Sequence, residues 1–326
     1  MCMNSFIQAI EHANSIAVTG HVRPDGDCIG ACLGVYNYIK ANYPKKLVHV
    51  YLEPMGREFH FLSGYDQVAN EVDDQEYDLM VVLDCSDESR IEPFVDLFHR
   101  ANTTFCVDHH ISNQGFCDDY IIDPGVSATC ELLYLLFDEE KISLACAECL
   151  YTGIVHDTGV FKHTNTTRET MHIAGDLIAK GINTSHIIDD TFYKKTYLQN
   201  LVLGYALLES SLVMDGKVIY SFLTMKWMNL YGVHPSDLNG IIDQMRITDG
   251  VEVAIFGYEV NNLEFKVSMR SNDYVDVSKV ASYFNGGGHV KAAGCTMKGN
   301  SLDVINNLLR HMEDQLKLGN SDERDH

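Results

Sequence analysis

Residues 78–85 read Asp78-Leu79-Met80-Val81-Val82-Leu83-Asp84-Cys85, five consecutive apolar side chains with an acid at either end. A strand with one face in water alternates apolar and polar residues. A strand that is apolar at every position is covered on both faces, as in a parallel sheet with helices on either side. Three further runs are strand-like and mostly apolar: Ser15-Ile16-Ala17-Val18, Lys46 to Leu52, and Thr103-Thr104-Phe105-Cys106-Val107. Helical patterns fall over 26–42, about 88–100 and 128–138, and an amphipathic helix over 3–13 precedes the first strand. Strands alternating with helices in this way predict an α/β fold on a doubly wound, mostly parallel sheet.

Further along, the pattern is helical over 145–155, 167–180, 185–194 and 197–212. From Val218 the texture changes. Strand-like runs at 218–224, 251–260 and 263–270, a helix near 236–246, and helices over 275–284 and 302–317 predict a second, smaller α/β domain. The expected division is a first domain over 1–195, a connecting helix over 196–212 and a second domain over 213–326.

Several function classes are excluded by composition. The longest apolar runs are far too short to cross a bilayer, so no membrane partner is expected, and residues 1–5 lack the basic-then-apolar pattern of a secretion signal. A cytoplasmic location is the default. The ten cysteines are read as scattered without CxxC zinc-type spacing and lie mostly in apolar segments, which reads as reduced core thiols. With 24 basic and 46 acidic residues the net charge is −22, which excludes long duplex nucleic acid as a partner. A small phosphorylated substrate stays compatible, because bound metal and a few local Arg and Lys can reverse the sign inside a cleft.

The acids at the strand ends carry the chemistry. In Thr19-Gly20-His21-Val22-Arg23-Pro24-Asp25-Gly26-Asp27-Cys28-Ile29-Gly30, the residues His21, Asp25 and Asp27 sit on a strand-to-helix turn. One Asp suffices as a helix cap, and a second nearby costs repulsion unless a cation is present. Asp84 ends the third strand, Asp108-His109-His110 ends the fourth, and His156-Asp157-Thr158-Gly159 ends the helix that begins near residue 145. Taken singly, Asp84 could be a cap and Asp157 a solvated loop residue. Loops at the carboxyl ends of parallel strands face one crevice, however, so these groups can meet. Asp25, Asp27, Asp84 and Asp157 bring four negative charges, which two divalent cations would balance. Mixed Asp and His ligation suits manganese, with magnesium, cobalt or zinc as alternatives. Metals paired about 3.5–4 Å apart are a known device for phosphoester hydrolysis. In the second domain, Asn285-Gly286-Gly287-Gly288-His289 would let backbone N–H groups approach an anion, and Arg270, before Ser271, could fork onto a phosphate.

This ordered set resembles the DHH–DHHA1 phosphoesterase family over nearly the whole chain, through His21 to Gly30, Asp84, Asp108-His109-His110, His156 to Phe161, and Gly286 to His289. Length and two-domain plan resemble its oligoribonuclease and 3′-phosphoadenosine 5′-phosphate phosphatase branch. The resemblance implies an active site in the cleft between a DHH domain and a DHHA1 domain. It implies that His21 and Asp25 bind one metal, that Asp27, His109 and Asp157 bind the other, and that Asp84 bridges both. His110 would contact the scissile phosphate, and Asp108 would orient its neighbours. Arg270, Ser271, Gly286, Gly287, Gly288 and His289 would hold the far end of the substrate. The implied reaction is hydrolysis of short single-stranded RNA to 5′-mononucleotides, and of 3′-phosphoadenosine 5′-phosphate to AMP, by a hydroxide bridging two ions, manganese first, with magnesium or cobalt as alternatives. Cyclic or linear dinucleotides such as pApA and pGpG are the alternative substrates, and a non-catalytic nucleotide-binding protein or a pyrophosphatase are the competing readings. A homodimer is left open. His156 has no assigned role, and Cys28 and Ala31 are expected to touch no ligand.

Overall fold

The computed structural model describes residues 5–72 and 74–322, with side chains described as far as Lys317. The first two residues of the helix expected over 3–13 lie outside the described residues. The chain divides into two compact units, one ending at Lys194 and the other beginning at Lys195.

The first unit contains α1 (Ser5–His12), β1 (Ser15–Thr19), α2 (Gly26–Asn42), β2 (Leu47–Tyr51), β3 (Val68–Ala69), β4 (Leu79–Leu83), α3 (Val95–Arg100), β5 (Thr103–Asp108), β6 (Asp119–Ile122), α4 (Thr129–Leu136), α5 (Leu144–Asp157), α6 (Arg168–Ala179) and α7 (Thr184–Ile188). Its six strands run parallel in the order β3-β2-β1-β4-β5-β6. The apolar strands are covered on both faces. Ile16, Val18, Leu79, Val81 and Leu83 join the core that contains α2, α4 and α5, whereas Ala17, Met80 and Val82 pack on the opposite face with Leu97 and Phe98 of α3. The chain winds outward from β1 to β3 and then returns to the centre at β4. The carboxyl ends of the neighbours β1 and β4 are therefore the switch point, where an open α/β sheet leaves a crevice.

Two helix readings in this unit need correction. The helix expected over 88–100 is broken at Pro93, which disfavours helical backbone at the residue before it. A 3-10 turn at Glu88–Ile91 and the short α3 take its place. The helix expected over 185–194 is α7 followed by a π-helical turn, Asp189–Tyr193. β3 and β6 carry no strand signal because they are short edge strands with partly exposed side chains.

The second unit contains α8 (Tyr197–Leu208), β7 (Ser211–Val213), β8 (Val218–Leu223), α9 (Met225–Tyr231), α10 (Ile241–Arg246), β9 (Val253–Asn261), β10 (Glu264–Ser271), α11 (Val277–Ser282), β11 (Gly287–His289), β12 (Ala292–Lys298) and α12 (Ser301–Asp322). Its mixed sheet has the order β11-β12-β10-β9-β8-β7, parallel only between β8 and β9. One face carries Val253, Ile255 and Val267 against α11 and α12. The other carries Ala254 and Phe256 against α8 and α10. The helix expected over 196–212 ends at Leu208, and its last residues form the edge strand β7 instead.

Cys146 and Cys149 do form one C-x-x-C step on α5, but both are fully buried. Cys146 Sγ lies 3.4 Å from the Gly34 carbonyl, and Cys149 Sγ lies 3.5 Å from Asn37 Nδ2. The nine described cysteines are all unpaired thiols. Among the described residues no helix is long and apolar enough to cross a membrane.

Candidate metal centre

The turn after β1 carries three of the candidate ligands. Asp25 caps α2, accepting from the N–H groups of Asp27 at 3.1 Å and Cys28 at 3.2 Å, and its other oxygen lies 3.6 Å from His21 Nε2. His21 Nδ1 lies 2.8 Å from the Val22 carbonyl, to which it donates. That fixes the ring and leaves Nε2 toward Asp25 and, at 3.5 Å, Asp84. Asp84 follows β4 with φ +53°, a left-handed turn that swings its side chain into the switch-point crevice. Asp27 is fully buried in the first turn of α2, and its two oxygens accept from the N–H groups of Thr129, at 2.6 Å, and Cys130, at 3.0 Å. These are orphan donors at the start of α4, a natural seat for a carboxylate.

The residues after β5 complete the arrangement. His109 Nε2 lies 3.1 Å from Asp157, 3.6 Å from Asp84 and 3.9 Å from Asp27. His110 Nδ1 lies 3.6 Å from Asp84 and 2.7 Å from Asp108. Asp108 is buried and bonded on both oxygens. One accepts from His109 N–H, His110 N–H and the His110 ring, and the other accepts from Asn113 Nδ2 at 2.7 Å. The structure therefore brings His21, Asp25, Asp27, Asp84, His109 and Asp157 together around Asp84 and His109, with His110 beside them.

Sequence reasoning passed over three supports. The Thr129 hydroxyl donates to Asp84 at 3.0 Å. Asn113 holds Asp108 from behind. Gly153 on α5 gives Asp27 its space, since a Cβ there would lie 2.5 Å from Asp27 Oδ1. Each is remote in sequence from the group it serves, and the only local signal is Asn113, five residues after Asp108. Cys28 departs from expectation, because its Sγ shares a 4.8 Å cluster with ligand atoms of His21 and Asp84. The thiol is fully buried, on the side of the helical turn that faces the crevice.

The electrostatics fit a cation site. Burial and repulsion from Asp84 and Asp157 push the Asp27 carboxyl well above the usual range. Burial opposes charge on His21, yet the Asp25 and Asp84 carboxylates override it and raise the imidazole to about 11. His109 is raised to about 10, with burial again overridden, here by Asp157, Asp27 and Asp84. Protons on imidazole thus do the neutralising that four carboxylates demand. Divalent cations would do it better, since each His and Asp atom facing the crevice is a ligand atom. His-and-carboxylate groups that could hold metal form at Asp84–His109–His110 and Asp27–His109–Asp157.

Comparison with known proteins identifies the domains that carry this geometry. Residues 15–154 match the DHH family, N-terminal domain, and residues 215–318 match the DHHA1 domain. The chain belongs to the DHH–DHHA1 family. It is similar to the bifunctional oligoribonuclease and PAP phosphatase NrnA of Bacillus subtilis, 27% identical over 94% of this chain and 96% of that one. It is 29% identical to NrnA of Thermus thermophilus over 91% of this chain and 88% of that one. Among solved structures, an exopolyphosphatase-related protein from Bacteroides fragilis superposes with a TM-score of 0.80 at 25% identity, covering 96% of each chain. The chain is therefore a DHH-family phosphoesterase, a hydrolase with a side-chain set that can hold metal.

The second-unit candidates sit differently from one another. Register puts Arg270 on β10 and His289 on β11 on either side of Ala292 on β12, so both side chains share one sheet face with only a methyl group between them. Arg270 Nε lies 3.4 Å from Asp243 and is part-exposed; His289 is exposed. Gly286 and Gly288 press on the backbone of β12, where a Cβ would overlap the Gly294 and Ala292 carbonyls, and Gly288 has φ +142°. The glycine run is thus largely a short edge strand and not a free loop. Ser271 is buried, with its hydroxyl donating to the Val275 carbonyl at 2.6 Å, so it closes a turn and offers nothing to a ligand.

Proposed function

We propose that this phosphoesterase hydrolyses short oligoribonucleotides to 5′-mononucleotides and 3′-phosphoadenosine 5′-phosphate to AMP. The observation that carries the reading is the convergence of four carboxylates and three imidazoles at one switch-point crevice. Full-length similarity to proteins named for both activities supports the substrate class.

His21 and Asp25 would hold one divalent cation, Asp27, His109 and Asp157 a second, and Asp84 both, with manganese the best match to the mixed ligands. Bound there, the ions would supply a water of lowered pKa and positive charge for the phosphoryl oxygens. The chain's own residues do the rest. Asp108 fixes the His110 ring through Nδ1, so Nε2 is the nitrogen left to donate to the scissile phosphate as its charge grows. His110 is suited to that because bonding to Asp108 raises its pKa and favours the protonated ring. Thr129 and the start of α4 hold Asp84 and Asp27 still while this happens. Arg270, His289 and the backbone of Gly286–Gly288 bind the far end of the substrate, Arg270 exchanging Asp243 for a phosphate. Unpaired buried thiols support a cytoplasmic setting.

The test is metal-dependent hydrolysis by the full chain with manganese, comparing a ladder of short RNAs, 3′-phosphoadenosine 5′-phosphate, pApA and pyrophosphate. Turnover of RNAs of a few nucleotides and of the bisphosphate is expected. Turnover of pyrophosphate alone, or none with any metal, overturns the reading. Turnover confined to pApA moves the assignment to dinucleotides.

A further inference from the structure

An aromatic cluster at the end of the first unit runs outward from the core residue Phe59 and supplies nothing to the carboxylate–imidazole centre described above. The π-helical turn Asp189–Tyr193 presents Phe192 and Tyr193, 38% and 60% exposed. The Phe192 ring centroid lies 5.6 Å from Tyr193 on one side and 5.6 Å from His156 on the other, and His156 lies 5.2 Å from the buried Phe59. Four rings are linked in succession from the interior to solvent. The succession is anchored at the centre, because His156 precedes Asp157 and its ring packs against Gly26, between Asp25 and Asp27, where a Cβ would overlap it. His156 Nε2 is buried without a hydrogen-bond partner among the described residues, a cost that a purely packing role would avoid by using phenylalanine. π-helical turns are rare and concentrate at functional sites.

We propose that Phe192, backed by His156 and extended by Tyr193, is a stacking platform for a nucleobase of the substrate, next to the phosphate being cleaved. This rests on the nucleotide substrate proposed above. A chain of net charge −22 cannot recruit a polyanion by general surface charge, so a contact to the bases adds to what metal and local cations offer the phosphates. Stacking is indifferent to base identity, which suits an enzyme degrading fragments of any sequence.

Two measurements on the full chain test this. The first is the ratio of kcat/KM for pApA to that for the same compound lacking its bases. Phe192→Ala should lower this ratio about tenfold and Phe192→Trp should keep it. The second needs neither metal nor turnover: F192W fluorescence, corrected for the native Trp227 with wild type, should be quenched by AMP and not by ribose 5-phosphate. An unchanged ratio in F192A, or equal quenching by both ligands or by neither, overturns the platform. If wild type turns over neither the short RNAs, nor 3′-phosphoadenosine 5′-phosphate, nor pApA while F192W is quenched by AMP alone, the catalytic reading falls and the platform stands. If wild type turns over pApA and F192A keeps the ratio, the platform falls and the catalytic reading stands.

Discussion

Replacing Thr129 by valine removes one hydroxyl and keeps the branching of the side chain. Thr129 is fully buried, and its hydroxyl donates at 3.0 Å to Oδ1 of Asp84, the carboxylate assigned to both cations. The same oxygen faces His109 and His110 at 3.6 Å, so its direction decides whether Asp84 and His109 point at one place and how His110 sits beside them. The backbone N–H of residue 129, which holds Asp27 at 2.6 Å, survives the change, and the loss is confined to Asp84. A hydrogen bond to a charged group contributes about 1.5–3 kcal/mol, which is roughly 10- to 150-fold in an equilibrium constant. Loss of an outer partner of a ligand ordinarily weakens metal binding about 10- to 100-fold. Thr129→Val should therefore weaken manganese binding by about that factor, measured by titration calorimetry on metal-depleted protein. Thr129→Ser should restore most of it. Binding by T129V within twofold of wild type, or T129S as weak as T129V, would refute the reasoning.

Asp84→Ala should reduce turnover about a thousandfold or more, since it removes the carboxylate common to both sets of ligands; rates near wild type would count against a paired-metal centre. Metal affinity should rise with pH. His21 and His109, at about 11 and about 10, both carry a proton at pH 8 and must lose it to coordinate. Calorimetry in buffers of different ionisation enthalpy should register proton release, with affinity gaining up to about tenfold per pH unit for each proton displaced; flat or falling affinity contradicts this. Arg270→Ala should raise KM several-fold with kcat within about twofold, because Arg270 is assigned to the far end of the substrate and not to the reacting phosphate. A loss in kcat at constant KM would reassign it.

The sequence by itself determined the doubly wound sheet and the site it carries. Val81, Val82 and their neighbours leave no polar face, so β4 must be covered twice, and the acids that end β1, β4 and β5 must then share one crevice. The reading was local wherever the cause was local: the Asp25 cap, the limits of α2, and the strand before His109. Only the tertiary structure decided which groups hold those side chains in place. Thr129 meets Asp84 and Gly153 makes room for Asp27 because α4 and α5 pack across α2, contacts made between residues 45 and more than 100 positions apart. The same holds for Cys28, drawn toward the centre, and for Ser271, turned away from solvent. Phe192 beside His156 likewise depends on a turn that comes back to the start of α2. Backbone periodicity reports which face of an element is buried; it carries no information about which distant residue fills the space opposite.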